Sequence, residues 1–184
     1  RSWNEGCKIE TIAFGHGITT TILQLAKGYA IISNGGYEIT PTLIKDNSNK
    51  KIKRLKVLSN DVSKKMNIMM RKVVSEGTAK LVNVEGYQVG GKTGTAEQVS
   101  NSIYSKTKIN TLASIFPTDN PKFVLVVMLE STKNNKDYTY EYRDGSGFKL
   151  LGSPRNTAGW TTVEAAGKII DKIGPILATK YIEN

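Results

Sequence analysis

Residues 123 to 130, Phe-Val-Leu-Val-Val-Met-Leu-Glu, are apolar almost without interruption. Such a run is expected of a strand buried on both faces. A second candidate strand, Thr111 to Phe116, ends just before Pro117-Thr118-Asp119-Asn120-Pro121. Prolines and side chains that bond their own backbone make this segment a turn, so the two runs are predicted to pair as an antiparallel hairpin. A third candidate strand, Tyr87 to Glu97, lies upstream and is rich in glycine.

Elsewhere the apolar period changes to that of a helix. Ile18, Ile22, Leu25, Tyr29 and Ile32 fall on one face of a helix predicted over residues 18 to 34. Thr19-Thr20-Thr21 offers capping hydroxyls, and Gly35-Gly36 offers a stop. Residues 37 to 44 read as extended. Ser59 or Asn60 caps a second helix, with Val62, Met66, Met69, Met70, Val73 and Val74 as core and an end near Gly77. A helical turn is predicted from Thr78 to Val82. Residues 131 to 158 are polar and read as loop. A last helix, over 161 to 178, is capped by Thr161 or Thr162 and places Val163, Ala166, Ile170, Ile173 and Leu177 on one face. The order helix, helix, three strands, helix is an α+β pattern with an antiparallel sheet, within one domain spanning 1–184.

Charge narrows the partners. The chain of 184 residues carries 26 Lys and Arg against 16 Asp and Glu, a net +10, which favours anionic partners. Residues 45 to 56 hold six of those cations against one acid, Asp46, and read as a solvated basic loop. No aromatic side chain stands among them to stack a base, so nucleic acid is not the expected partner. One cysteine, Cys7, excludes an internal disulfide or a CxxC site, and the single His16 cannot form a histidine metal cluster. No stretch of about 18 apolar residues occurs, and no signal peptide opens the sequence. The start at Arg1-Ser2-Trp3, without Met, reads as part of something longer.

The chemistry is concentrated in Val89-Gly90-Gly91-Lys92-Thr93-Gly94-Thr95-Ala96-Glu97. Three glycines inside a strand mark close approach to the backbone. Thr93 and Thr95, two apart, send both hydroxyls to one face. Lys92 supplies positive charge, and free N–H groups on such a strand polarise a carbonyl oxygen. These features suit a carboxylate-bearing substrate undergoing acyl attack. The bland reading is a glycine-rich strand with a solvated lysine. A rival uses the same residues: Gly86 to Thr93 satisfies G-x-x-x-x-G-K-[ST], a phosphate-binding loop. That motif needs a helix opening at Lys92-Thr93, whereas Gly94 and the polar run Gln98 to Ser102 follow instead.

Read together with Phe14-Gly15-His16-Gly17-Ile18, Leu23-Gln24-Leu25-Ala26, Tyr29-Ala30 and Asn34-Gly35-Gly36, the Lys92-Thr93-Gly94-Thr95-Ala96 segment closely resembles class B penicillin-binding proteins, the peptidoglycan D,D-transpeptidases. The resemblance runs from about Phe14 to the last helix. The Phe14 to Gly17 phrase and Thr157-Ala158-Gly159-Trp160 resemble the septum-forming type in particular. The fold implied is the C-terminal part of the penicillin-binding and β-lactamase-like transpeptidase fold. The site residues implied are Lys92 for positive field, Thr93, Gly94 and Thr95 for the substrate or penicillin carboxylate, and the Thr95 N–H as an oxyanion-hole donor. The resemblance implies no metal or cofactor. Its implied partners are peptidoglycan stem peptides on a lipid-linked precursor, β-lactams and divisome proteins at the periplasmic face of the inner membrane, with an anchor upstream.

The departure from the family pattern is in the nucleophile. The family serine stands in S-x-x-K, followed by S-x-N, and both precede the lysine motif. Here S-x-x-K occurs at Ser48–Lys51, Ser105–Lys108 and Ser146–Lys149, in segments that read as polar loops, and the single S-x-N match, Ser2-Trp3-Asn4, precedes all three instead of following them. All three read as chance, so the chain alone is expected to be inactive. A non-catalytic truncated remnant remains an alternative. His16 reads as a packing or gate residue, Cys7 as an incidental thiol and Trp160 as an anchor of the last helix. A domain cut at a seam is expected to self-associate.

Overall fold

The computed structural model describes residues 12–13, 15, 18–44, 54–100 and 103–181. Cys7, Phe14, His16, Gly17, the Ser48–Lys51 pair and most of the basic loop fall outside these residues.

Helix α1 (Ile22–Ser33) begins four residues later than its apolar period suggests. Thr21 is the reason. Its Oγ1 accepts from the Gln24 N–H at 3.1 Å, and Gln24 Oε1 accepts from the Thr21 N–H at 2.9 Å. This reciprocal capping box leaves Ile18 outside the helix. The far end stops at Gly35 and Gly36, with φ of +90° and +86°. A Cβ on Gly36 would lie 2.2 Å from the Leu58 carbonyl oxygen, so only glycine serves there. The following segment opens with a single antiparallel bridge from Tyr37 to Lys56.

Helix α2 (Asn60–Ser75) is capped by the Ser59 hydroxyl, which accepts from the Val62 N–H at 3.2 Å. Its buried face is Ser63, Asn67, Met70 and Val74. The expected methionine stripe is corrected here: Val62 and Met69 are exposed. Polar groups displace them because α2 docks on the end of α1 by hydrogen bonds. Ser63 Oγ donates to the Ile32 carbonyl at 2.5 Å and accepts from the Gly35 N–H at 3.0 Å. Asn67 Nδ2 donates to the Ser33 carbonyl at 3.3 Å. A 3₁₀ turn at Lys80–Val82 follows, within the predicted segment.

Three antiparallel strands form the sheet in the order β1 (Gly90–Ser100), β2 (Ile103–Phe116), β3 (Phe123–Glu130). The predicted hairpin is present, with Phe116 opposite Phe123. Strand β2 starts eight residues before the predicted Thr111 and pairs along β1. The pairing satisfies the backbone there, so no apolar pattern is required. Strand β3 is not buried on both faces as its composition suggested. Residues 123–127 are half-buried between α1 and the last helix, and 128–130 run beyond them into solvent. The segment 131–158 is not all loop: β4 (Thr139–Glu141) and β5 (Lys149–Leu151) make a second, two-stranded sheet.

Helix α3 (Thr162–Tyr181) closes the fold. Val163, Ala166 and Ile170 meet Val74, Leu81, Val82, Val89, Leu112 and Phe116 in the main core. Tyr138, Tyr140 and Trp160 stack edge to face at 4.8 and 5.2 Å beside it, so Trp160 packs at the start of α3 as expected. One charge is buried in α3. Glu164 receives a two-pronged contact from Arg143, at 2.9 and 3.0 Å, and a hydrogen bond from the Tyr138 hydroxyl at 2.7 Å. Arg143 also donates to the Leu81 carbonyl at 3.2 Å. The carboxylate holds the guanidinium pKa above its ordinary value. Gly167 lets the Lys80–Val82 turn approach, since a Cβ there would stand 2.4 Å from Leu81 O. No helix among the described residues is long and apolar enough to cross a membrane.

Removing one partner of a buried pair strands the other's charge. We expect Glu164→Met to lower unfolding free energy by about 3 kcal/mol in urea titration, and Arg143→Met with Glu164→Met together to lose clearly less than the sum of the singles.

Candidate active site

The phase of the β-ladder decides which backbone groups are free. The Ser131 N–H donates to the Lys108 carbonyl at 3.0 Å, continuing the register that pairs Ile109 with Glu130. Lys108 therefore faces β3. In a strand, backbone groups of alternate residues point to the same side. Ile109, Thr111, Ala113 and Ile115 accordingly face β1, where they meet Ala96, Gly94, Lys92 and Gly90. The N–H and C=O groups of Gly91, Thr93 and Thr95 point the other way, along the edge of β1 that β2 does not use. Lys92 Nζ agrees with this phase: it donates to the Thr93 carbonyl at 2.7 Å, from outside the sheet.

The two threonine side chains share one face and line a cleft of about 530 Å³. Thr78 and Lys80 form one wall, after α2; Arg155 and Trp160 form the other, before α3. Among the described residues no acidic side chain lines it. Thr93 Oγ1 lies 2.9 Å from Thr78 Oγ1, and Thr95 Oγ1 accepts from the Ala158 N–H at 3.0 Å. Lys92 and Thr95 are exposed and Thr93 is half-buried.

The glycines of β1 have separate causes. A Cβ on Gly90 would lie 2.5 Å from Thr118 Cγ2 and 3.1 Å from the Arg71 nitrogen, so this glycine admits α2. One on Gly91 would lie 2.7 Å from Ala113 O, so this glycine admits β2. One on Gly94 would touch nothing nearer than Thr111 Cβ at 3.9 Å. Of these three glycines only Gly94 has no close contact at its Cβ position among the described residues.

The far wall is held by a buried polar knot. Asn110 Nδ2 donates to Thr132 Oγ1 at 2.7 Å and to Asn156 Oδ1 at 3.2 Å. Thr132 Oγ1 donates to Asn156 Oδ1 at 2.6 Å, and Asn156 Nδ2 donates back to the Thr132 carbonyl. Asn110 is fully buried and stands opposite Thr95 in the ladder. The knot thus fixes the 155–158 segment relative to the strand that carries Thr95.

Several sequence expectations are settled by position. The phosphate-loop alternative at Gly86 to Thr93 is overturned, because Lys92 and Thr93 lie inside β1, paired with Ala113 and Leu112, and no helix opens there. Ser105–Lys108 lies in β2 rather than in a loop. Ser146 Oγ donates to Asp144 Oδ1 at 2.5 Å, a bond that lowers the Asp144 pKa, while Lys149 pairs with Glu141 at 2.5 Å. That serine has no lysine beside it. Of the expected site residues, Thr93 and Thr95 line the cleft, and Lys92 and Gly94 stand beside them on β1. Thr78, Lys80 and Arg155 were not anticipated at the site, and no local pattern marks them.

Comparison with known proteins follows the same lines. The family model described as "Penicillin binding protein transpeptidase domain" matches residues 1–145. "Probable peptidoglycan D,D-transpeptidase FtsI" of Caulobacter vibrioides is 30% identical over 190 residues, covering 98% of this chain and 30% of the relative. "Stage V sporulation protein D" of Bacillus subtilis is 35% identical over 134 residues, covering 67% of this chain and 21% of the relative. The chain thus spans less than a third of the length of these relatives. Among solved structures, the transpeptidase domain of Burkholderia pseudomallei penicillin-binding protein 3 aligns with a TM-score of 0.74 at 24% identity, covering 96% of this chain and 49% of that domain. That likeness establishes the α+β transpeptidase fold.

Asn156→Ala removes the acceptor shared by Asn110 and Thr132. We expect a loss of about 2 kcal/mol in stability and faster hydrogen exchange of the Ala158 amide than of the amides in α2, read by mass spectrometry or NMR.

Proposed function

The chain belongs to the family of penicillin-binding protein transpeptidase domains, and on that premise we propose that it is the C-terminal part of one transpeptidase domain of a peptidoglycan D,D-transpeptidase. The carrying observation is the outward N–H of Thr95 beside two same-face hydroxyls, over a cleft rimmed by cations and, among the described residues, free of acids.

In this reading a serine supplied by another segment attacks the penultimate D-Ala carbonyl of a stem peptide. Its Oγ forms an ester with the carbonyl carbon, the amide C–N bond breaks, and D-Ala leaves carrying the proton as a free amine. An amine of a neighbouring stem then attacks the ester, forms the new amide and returns the serine hydroxyl. Thr95 N–H donates to the oxyanion of each tetrahedral intermediate, a role worth about 10²–10³ in rate. Thr93 and Thr95 hydroxyls, over the bare backbone of Gly94, hold the substrate or penicillin carboxylate. The Lys92 ammonium reaches the outer edge of β1 at the Thr93 carbonyl, where it raises the positive potential felt by both anions. Lys80 and Arg155 add to that potential from the cleft walls.

The division-linked name of the Caulobacter relative and the Phe14 to Gly17 phrase favour septal cross-linking, with divisome proteins as partners and a lipid-linked precursor as substrate. The cell-wall role favours the periplasmic face of the inner membrane. The chain carries no S-x-x-K followed by S-x-N ahead of Lys92, so by itself it is expected to form no acyl-enzyme. Ile18 and Leu23 on the α1 side are more than half exposed, which favours self-association of the isolated chain.

Two measurements test this reading. Fluorescent penicillin is expected to leave this chain unlabelled and to label a longer protein carrying it with an upstream S-x-x-K and S-x-N. In that longer protein, Thr95→Pro, which deletes the N–H, is expected to slow acylation at least 100-fold. Labelling of the isolated chain, or an unaffected Thr95→Pro, contradicts the assignment.

A further inference from the structure

Both cleft threonines carry a hydroxyl that must give its proton to a carboxylate, and a carboxylate accepts only. A hydroxyl can also spend its proton on a neighbour, so what surrounds each oxygen decides whether it is available. For Thr95 the matter is fixed by the backbone. Ala158 N–H is a donor and nothing else, and it points at Thr95 Oγ1 from 3.0 Å. That contact occupies an acceptor position on the oxygen and leaves the Thr95 proton for the cleft.

Thr93 has no such amide. Its oxygen lies 2.9 Å from Thr78 Oγ1, and either hydroxyl can donate in this pair. If Thr93 donates to Thr78, its proton is spent and its lone pairs face the incoming anion. If Thr78 donates, Thr93 presents a proton. An anion in the cleft selects the second arrangement. Thr78 is held for this task by its backbone: Gly159 packs so closely that a Cβ there would stand 2.8 Å from Thr78 O, and Gly77 beside it would meet Val73 O at 2.8 Å.

Resting on the transpeptidase reading above, we propose that Thr78 is a positioning residue for the carboxylate, donating its hydroxyl proton to Thr93 so that Thr93 donates to the ligand. Thr78 and the Ala158 amide then do the same job for the two threonines, one by a side chain and one by the backbone. The consequence is specific: loss of the Thr78 hydroxyl reduces recognition of the anion and not the chemistry of acylation.

The test uses the longer protein with its nucleophile, and compares a fluorescent penicillin bearing the free carboxylate with its methyl ester. The readout is the ratio of second-order acylation rates, acid over ester. Wild type is expected to prefer the acid. Thr78→Val is expected to lower that preference about tenfold, mainly through a slower reaction with the acid, and Thr78→Ser to keep it. Thr78→Ala, which adds no bulk, carries the same expectation if the valine variant does not fold. Equal slowing of acid and ester, or an unchanged preference in the variants lacking the hydroxyl, overturns the role of Thr78 alone. A wild type that takes up neither compound overturns the transpeptidase reading itself.

Discussion

The phase of one β-ladder governs the rest of the molecule. Because Lys108 turns its backbone to β3, every second residue of β1 from Gly91 turns its own away from β2. A slip of one residue would send Gly90, Lys92 and Gly94 outward and bring the threonine amides into the ladder. The same slip would move both threonine side chains off the cleft face. Gly91 opposes it, since only a residue without Cβ passes the Ala113 carbonyl in this register. Gly90 opposes it from the other side by seating α2. Two glycines that read as a mark of ligand approach are therefore register pins.

Around this edge the walls are tied by polar contacts in addition to the apolar core. α2 reaches α1 through Ser63 and Asn67; α3 reaches the Lys80–Val82 turn through Glu164 and Arg143; the 155–158 segment reaches β2 through Asn110. Hydrogen bonds are directional, and apolar contacts tolerate sliding. A cleft that must place hydroxyls and an amide within a few tenths of an ångström benefits from the directional kind, at the expense of buried polar groups that depend on their partners.

The hairpin, the three main helices and the Lys92 to Thr95 strand were legible because each rests on local periodicity or on turn chemistry. What escaped is what long-range contact decides. The start of β2 is polar and gains its strand only by pairing with β1. The stripe of Val62 and Met69 has helical period but faces solvent, because Ser63 and Asn67 won the interface by bonding to α1. The small sheet of β4 and β5 is three residues a strand, too short for a pattern. Thr78 stands 15 residues before Thr93, in a turn with no motif of its own, and only the fold brings their oxygens together.

The geometry also constrains the direction of attack. The free amides of β1 lie in the plane of the sheet, along its outer edge, whereas the threonine hydroxyls rise from one face. On the proposed transpeptidase reading a bound substrate satisfies both, with its carbonyl against the edge and its carboxylate over the face. A nucleophile reaching that carbonyl approaches across the edge, opposite the strand, since the face is walled by Thr78 and Arg155. Gly94 lies between Thr93 and Thr95 in the strand, its missing Cβ on the face opposite the two threonine side chains. Of the three glycines, it is the one whose Cβ would meet no close contact among the described residues, so packing within those residues does not account for it.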